Sequence, residues 1–170
     1  MNCRNCGAPM ELFERRRCYF CTFCSSFAFI DTPEVKGVHV LERAVAAPSC
    51  PLCGAPLVKA LLDDAFAVEH CERCSGILLP RAAFAEAVTR RRARESGEPA
   101  RPVPLDRREL ERVVVCPSCH SQMDVHPYYG PGNVVIDSCQ SCDQIWLDFG
   151  ELEQITTAGG RDRGWRVSNR

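Results

Sequence analysis

The chain has 170 residues, 13 of them cysteine, and a formal net charge of −1. This near balance of charges argues against a polycationic nucleic-acid binder, and no apolar run is long enough to span a membrane. No apolar N-terminal stretch resembles a signal peptide. We therefore expect a cytoplasmic location, where Cys-x-x-Cys pairs bind metal or do redox chemistry rather than form structural disulfides.

Six Cys-x-x-Cys pairs account for twelve of the thirteen cysteines, and the pairs group in twos along the chain. The two pairs of a group are separated by 14, 17 and 19 residues in the three groups. Two short pairs of thiolates are the usual ligand set of tetrahedral structural zinc. We predict three Zn²⁺ ions per chain, which fold units too small for a core of their own and bring the net charge to about −7. The predicted ligands are Cys3, Cys6, Cys21, Cys24, Cys50, Cys53, Cys71, Cys74, Cys116, Cys119, Cys139 and Cys142.

The first unit is assigned to residues 1–47 and opens on the Cys3–Cys6 pair. Gly7 follows this pair, where a turn with positive φ lets backbone N–H groups point at sulfur. The apolar run at residues 27–30 predicts a short strand after the second pair. A strand and linker extension completes this first zinc ribbon.

The second unit is assigned to residues 48–97. Apolar runs on either side of Asp63-Asp64 predict a β-hairpin with these two aspartates at its tip, and residues 76–79 predict a third strand. An arginine-rich helix follows. Pro80 fits its first turn, and Phe84 and Val88 lie one turn apart on the face expected to pack on the ribbon.

Residues 98–112 contain several prolines and predict a linker that ends in a brief helix. The third unit, residues 113–158, has turn residues at 128–133 and a strand at 144–147. Asp148 followed by Glu151 is typical of a capping box, and Gly159 should end that helix. Residues 159–170 are polar and predict a flexible tail. The predicted fold is a small, metal-stabilised, β-rich protein of three tandem zinc ribbons, each a β-hairpin plus a short strand, with short helical extensions.

Beyond its cysteines, the third unit carries a set of motifs that points to a known family. These motifs are Cys116-Pro-x-Cys119, Ile136-Asp137-x-Cys139-x-x-Cys142, and IWLDFGELE from Ile145 to Glu153. With them the unit resembles the transcription-factor-IIB-type zinc-finger family of zinc ribbons. The first two units are weaker copies, since Leu78 stands where the third has Trp146 and the first lacks the capping box. The resemblance implies a zinc-ribbon fold and zinc bound by the cysteine pairs, but not a transcriptional activity.

Four thiolates fill a tetrahedral zinc and leave no open position for a catalytic water. A thioredoxin-like redox site needs one pair at a helix N-terminus within a βαβ pattern, which is not found. We therefore expect a non-enzymatic interaction or adaptor protein without a small-molecule substrate, with protein partners favoured over nucleic acid. The alternatives are a transcription regulator associated with nucleic acid or RNA polymerase, and a redox-sensitive zinc protein.

Hairpin tips and the helix supply the candidate partner contacts, although such residues are more often ordinary solvated turn and helix positions. The acidic tip resembles that of eukaryotic transcript-cleavage elongation factors, whose carboxylates help hold a catalytic Mg²⁺. Tyrosines at a tip could anchor a protein or stack on a base, and arginines could track phosphates. The candidates are Asp63, Asp64, Tyr128, Tyr129, Arg90, Arg91, Arg92 and Arg94.

Cys18 is the odd cysteine. It precedes Cys21 by three residues, so Cys18/Cys21 is an alternative to Cys21/Cys24 as the second pair of the first site. Otherwise Cys18 is a candidate free thiol, whose pKa the neighbouring arginines at 15–17 could lower. The four histidines do not stand at ligand spacing and are interpreted as non-ligands.

Overall fold

The computed structural model describes residues 1–4, 6–14, 18–23, 27–29, 35–44, 47–101, 104–105 and 107–160. The strands are β1 Glu11–Phe13, β2 Cys18–Phe20, β3 Phe27–Phe29, β4 Val38–Glu42, β5 Val58–Leu62, β6 Phe66–His70, β7 Ile77–Pro80, β8 Asp124–Pro127, β9 Val135–Cys139 and β10 Gln144–Leu147. The helices are α1 Arg81–Arg94, α2 Glu151–Thr157 and a 3-10 helix at Arg107–Glu111. None of the helices in this described part is long and apolar enough to cross a membrane.

Each of the three units contains an antiparallel β-hairpin and a third antiparallel strand, as the sequence predicts. In the second unit the hairpin runs in continuous register from Val58 opposite His70 to Leu62 opposite Phe66. Its tip uses Asp63 and Asp64, both with positive φ, at 53° and 56°. Aspartate tolerates this left-handed conformation better than most residues, which explains its presence at a tight turn.

The second and third ribbons form one sheet. Their third strands, β7 and β10, pair antiparallel, with Trp146 opposite Leu78. The result is a seven-stranded sheet in the order β4-β5-β6-β7-β10-β9-β8. The two ribbons therefore stand in an approximately two-fold arrangement about the β7–β10 pair, each supplying three adjacent strands and a helix.

Alternation along β7 and β10 sends side chains to two different cores. Ile77, Leu79, Ile145 and Leu147 point to a core that both helices cover, through residues that include Phe84, Val88, Leu152 and Ile155. Leu78 and Trp146 point to the opposite core, together with buried cysteines of both the second and the third unit. Because successive residues of a strand face opposite sides, pairing β7 with β10 joins both cores across the two ribbons at once.

The two helices lie where the sequence predicts them, but only one of them begins and packs as expected. In α1, Phe84 and Val88 are buried against the sheet as predicted, and the helix ends at Arg94 with Glu95 extended. In α2, the Glu151 carboxylate accepts the Asp148 N–H at 2.8 Å, which is half of a capping box. The other half is missing, since the residue before the helix is Gly150 in left-handed conformation and no side chain caps the helix.

The first unit forms a separate three-stranded sheet, β1-β2-β3. Met10 and two cysteines form its small core, with Tyr19 and Ala28 packed against them. The opposite side of this sheet carries Phe13, Phe20, Phe27 and Phe29, which are only half buried. Of these, Phe29 packs on the core shared by the other two ribbons.

The segments between and after the ribbons are tied to the sheet. Strand β4, which the sequence suggested as an extension of the first unit, pairs with β5 and lies at the edge of the seven-stranded sheet. The brief helix predicted before the third unit is the 3-10 helix. Further along the linker, Ala100 bridges to Ala158 beyond α2. Of the predicted tail, residues 161–170 lie outside the described residues.

Candidate metal centres

The first half of each site is built by the same turn, repeated in all three units. The carbonyl of the first cysteine of the pair accepts the N–H of the residue after the pair: Gly7 to Cys3, Gly54 to Cys50, and His120 to Cys116, at 2.9–3.0 Å. Those three residues have φ of 77°, 69° and 59°. Glycine is the ordinary choice there, and His120 adopts the same left-handed backbone because histidine tolerates positive φ better than a β-branched residue does.

The second unit brings Cys50, Cys53, Cys71 and Cys74 together, with all four sulfurs within 4.8 Å of one another. The Cys50–Cys74 and Cys53–Cys71 sulfur pairs are 3.5 and 3.4 Å apart. Zinc–sulfur bonds of about 2.3 Å in a tetrahedron place sulfurs about 3.8 Å apart, whereas a disulfide bond is about 2.05 Å. The quartet therefore fits a zinc ion and not a pair of disulfides.

The third unit repeats this arrangement. Its four sulfurs, from Cys116, Cys119, Cys139 and Cys142, also lie within 4.8 Å of one another. Cys116–Cys142 and Cys119–Cys139 are 3.5 and 3.4 Å apart. Both quartets have the composition and spacing of a closed, structural zinc site.

In the first unit, the described residues supply three sulfurs within the same limit, those of Cys3, Cys6 and Cys21. Cys24, the predicted fourth ligand, lies outside the described residues. Cys18 does not belong to this group of sulfurs. It is fully buried in β2, opposite Phe13 and Phe29, which is the side of the sheet that faces away from the metal group.

The protonation of the thiols shows why a dication is needed. In the second unit, hydrogen bonds among the sulfurs raise the pKa of Cys50 and Cys74 and lower that of Cys53 and Cys71. Without metal, the four thiols therefore cannot all ionise together. Zinc supplies the two positive charges that stabilise four adjacent thiolates, so metal binding releases protons.

The sulfurs of the third unit differ in exposure and in acidity. Hydrogen bonds from the hydroxyl and backbone of Ser121 lower the pKa of the exposed Cys119 to about 6. Burial raises the pKa of Cys116 and of Cys142. Of the cysteines that the structure describes, Cys119 in the third unit and Cys6 in the first are exposed, so an oxidant in solution reaches their sulfurs before the others.

A buried ionic network that no local sequence motif indicates lies beside the third site. Arg112, just before this ribbon, donates to both Asp137 and Asp148, whose side chains are at most 2% exposed. Burial alone lowers the pKa of Arg112, but the charges of Asp148 and then Asp137 outweigh it and raise the pKa. Asp148 also accepts the Trp146 indole N–H at 2.8 Å. The aspartate predicted to cap α2 therefore ties the arginine to the tryptophan instead.

Trp146 also forms the contact between the two fused ribbons. A Cβ placed on Gly76 of the second ribbon would lie 2.2 Å from the Trp146 ring, so only glycine leaves room for the indole. Trp146 is fully buried and belongs to the core that contains cysteines of both units. Gly76 is visible in the sequence soon after the Cys71–Cys74 pair. The need for glycine there comes from Trp146 in the other ribbon, so the residues around Gly76 do not reveal it.

The acidic tip of the second ribbon is not a free pair of carboxylates. The Arg91 guanidinium on α1 donates two hydrogen bonds to the Asp63 carboxylate, at 2.7 and 2.8 Å. Both side chains are only about 15% exposed. Asp64 is 74% exposed and lies 2.6 Å from His39. The tip is therefore built into the helix–sheet contact, and Asp64 is the member of the pair open to a partner.

The other arginines of α1 are also engaged within the molecule. Arg90 pairs with Glu86 and lies 5.1 Å over the Phe66 ring, and Arg92 donates to carbonyl oxygens of Ala158 and Gly160 beyond α2. The Arg94 side chain makes no hydrogen bond or ion pair with any residue in the described part of the chain. The four arginines therefore do not form one continuous surface for phosphates.

The two tip tyrosines of the third ribbon take different roles. Tyr128 packs on the helix-covered core, with its ring edge-on to Phe84 at 5.7 Å. Tyr129 is 66% exposed and stacks on His126 at 5.6 Å. Only Tyr129 is placed to contact a partner. None of the four histidines joins a cysteine group among the described residues.

Comparison with known proteins agrees with this geometry. The family model described as transcription factor zinc-finger, a zinc ribbon, matches residues 49–89 and 115–158. The family model does not match the first unit. The prediction that this unit is also a zinc ribbon is therefore supported only by its own cysteines and strands. Searches of curated proteins and of solved structures yield no match. The two matched segments make up half of the 170 residues, and the chain therefore belongs to the transcription factor zinc-finger family of zinc ribbons.

Proposed function

We propose that this protein is a non-enzymatic adaptor, in which zinc fixes the shape of three ribbons that present contact surfaces to a partner. The observation that carries the proposal is that large apolar side chains stand exposed on metal-held turns and strands. Phe23, which lies between Cys21 and Cys24 in the first unit, is 76% exposed. Leu12 and Tyr129 are 48% and 66% exposed. Rigid exposed aromatics are typical anchors of protein interfaces.

The metal sites support this proposal by their chemistry. The two complete quartets offer four thiolates each, which fill the coordination sphere of zinc. Such a site stabilises the fold and supplies no activated water. The cysteine ligands therefore hold the ribbon surfaces in place for a partner and do not take part in a reaction.

A protein partner is favoured over nucleic acid because three of the four candidate arginines of α1 are engaged within the molecule. Arg91 is bound to Asp63, and Arg92 to the end of α2. The family name leaves a transcription-associated role as the second candidate, with RNA polymerase or a nucleic acid as the partner. The exposed Cys6 and Cys119 leave a redox-sensitive zinc protein as the third.

The test is capture of partners on the zinc-loaded chain, followed by reconstitution of the leading candidate from purified components. Phe23→Ala and Tyr129→Ala should each weaken binding at least tenfold, since interface anchors typically contribute about 2 kcal/mol or more. The matched control is Lys59→Ala, an exposed residue whose ammonium group pairs with Glu42 at 3.4 Å. If no purified candidate binds, or if the anchor variants bind like the control, the adaptor proposal is wrong.

The salt dependence of partner binding distinguishes a nucleic-acid partner from a protein partner. Binding that falls steeply with salt, and whose slope is reduced by Arg94→Gln, would replace the protein-partner assignment with a nucleic-acid one. For the redox alternative, peroxide at physiological concentration should release zinc from the zinc-loaded wild type. Full retention of zinc under peroxide would exclude it.

A further inference from the structure

A cavity that is not a metal site lies between the two helices. It has a volume of about 280 Å³ and opens between the C-terminal half of α1 and one side of α2. Its apolar floor includes Val35, Ile77, Leu147 and Leu152. For scale, an engineered cavity of about 150 Å³ binds benzene. The cleft therefore suits a ligand with one large apolar side chain and a few additional polar atoms.

The two-fold arrangement of the ribbons shows that this cleft is not a general property of the fold. When the second and third ribbons are aligned on their cysteine pairs, Leu152 corresponds to Phe84, and Thr156 to Val88. In the other half of the molecule, Phe84 meets the Tyr128 ring edge-on and fills the helix–sheet angle. Around the cleft, the smaller Leu152 and the polar Thr156 occupy the corresponding positions.

Charged residues around the cleft fall into two sets. Asp63 and Arg91 neutralise each other, and Asp148 is held by Arg112. Lys36 and Arg94 on the α1 side, and Glu153 on the α2 side, form no side-chain hydrogen bond or ion pair with any residue in the described ranges. Glu95, just after α1, also lines the cleft, and its carboxylate accepts the Gly97 N–H at 3.1 Å. The cleft thus offers the unpaired cations of Lys36 and Arg94 on the α1 side, the unpaired carboxylate of Glu153 on the α2 side, and an apolar floor.

We propose that this cleft binds a free α-amino acid with a large apolar side chain. The ligand carboxylate pairs with Arg94 and Lys36, its ammonium group pairs with Glu153, and its side chain lies on the apolar floor. A zwitterion matches both walls, whereas a simple anion or cation leaves one wall unpaired. This inference is independent of the adaptor proposal, because it concerns a small ligand and a different surface.

The experiment is an NMR titration of the zinc-loaded full chain with L-leucine and L-phenylalanine at millimolar concentration. Saturable shifts of the Gly150 and Thr156 amides are expected, with no such shifts from glycine. N-acetyl-L-leucine and L-leucinamide, which each lack one charge, should bind about tenfold more weakly. Absence of saturable shifts, or equal binding of either blocked analogue, overturns the proposal.

The repeats supply the matched blocking variant. Leu152→Phe with Thr156→Val copies the residues of the filled half and should abolish binding while the zinc content stays unchanged. Arg94→Gln and Glu153→Gln should each weaken binding about tenfold, and they serve as the test if the double variant loses zinc. Arg101→Gln, at an exposed arginine that does not line the cleft, is the control and should bind like the wild type. Unchanged binding in the charge variants would overturn the assignment.

Discussion

The first ribbon and the fused pair of ribbons use the same metal chemistry but solve the problem of a small core differently. The second and third ribbons share a sheet, two cores and a buried tryptophan contact. The first ribbon has a small core of Met10, Cys3 and Cys21, and the four phenylalanines of its other face are only half buried. Apolar burial adds to metal binding in the fused pair, whereas the first ribbon depends mainly on its metal.

The sharpest way to break this comparison is to remove one zinc ligand from each part. Cys71→Ser should release the second zinc and unfold both fused ribbons, so zinc falls from three to one per chain. Cys21→Ser should release only the first zinc and leave two. Binding of a structural zinc ion contributes about 10–16 kcal/mol to folding, so loss of the ion should unfold the ribbon that it holds. Metal analysis together with thermal unfolding makes the measurement, and a Cys71→Ser chain that keeps the third zinc would contradict the shared fold.

Next in size is the removal of Arg112. Arg112→Met should leave Asp137 and Asp148 as buried carboxylates without their cation and should destabilise the fused pair by about 3–5 kcal/mol. Chemical denaturation measures this, with Arg101→Met as an exposed control expected to change stability by less than about 0.5 kcal/mol. The first zinc should be retained in both variants. A small effect of Arg112→Met would mean that the network does not stabilise the third ribbon.

A smaller effect is expected at the contact between the fused ribbons. Gly76→Ala places a methyl group against the Trp146 ring and should lower the free energy of unfolding by about 1–3 kcal/mol. Gly97→Ala is the matched control, because its Cβ meets only the flexible Glu95 side chain. The unfolding midpoint of the fused pair should fall in the first variant alone. Equal midpoints would show that the indole can move aside.

The smallest expected effect distinguishes two adjacent arginines of α1. Arg91→Ala removes the bidentate partner of a mostly buried Asp63 and should cost about 1–2 kcal/mol. Arg90→Ala breaks an exposed pair with Glu86 and a contact with the Phe66 ring, and should cost less, about 0.5–1 kcal/mol. Denaturation midpoints measure the difference. If both substitutions cost the same, the hairpin tip is not anchored by α1.

Much of the local structure could be predicted from residue types at short spacing. The paired cysteines, the turns after them and the hairpin tips follow from metal-ligand spacing and from residues that tolerate positive φ. The burial of Phe84 and Val88 followed from helical periodicity. The capping box at Asp148 was half wrong, since a short motif cannot show that Arg112, far along the chain, competes for the carboxylate.

The sequence by itself determined the cysteine quartets of the second and third units and the order of the ribbon strands, because these depend on contacts between residues close along the chain. Only the tertiary structure decided that two ribbons share one sheet, that Gly76 accommodates Trp146 and that Arg91 closes the acidic tip. Each of these depends on which strand edges and helix faces meet. Pairing of β7 with β10 joins residues of different repeats, and that choice among several similar edges is made by the packing of both cores together.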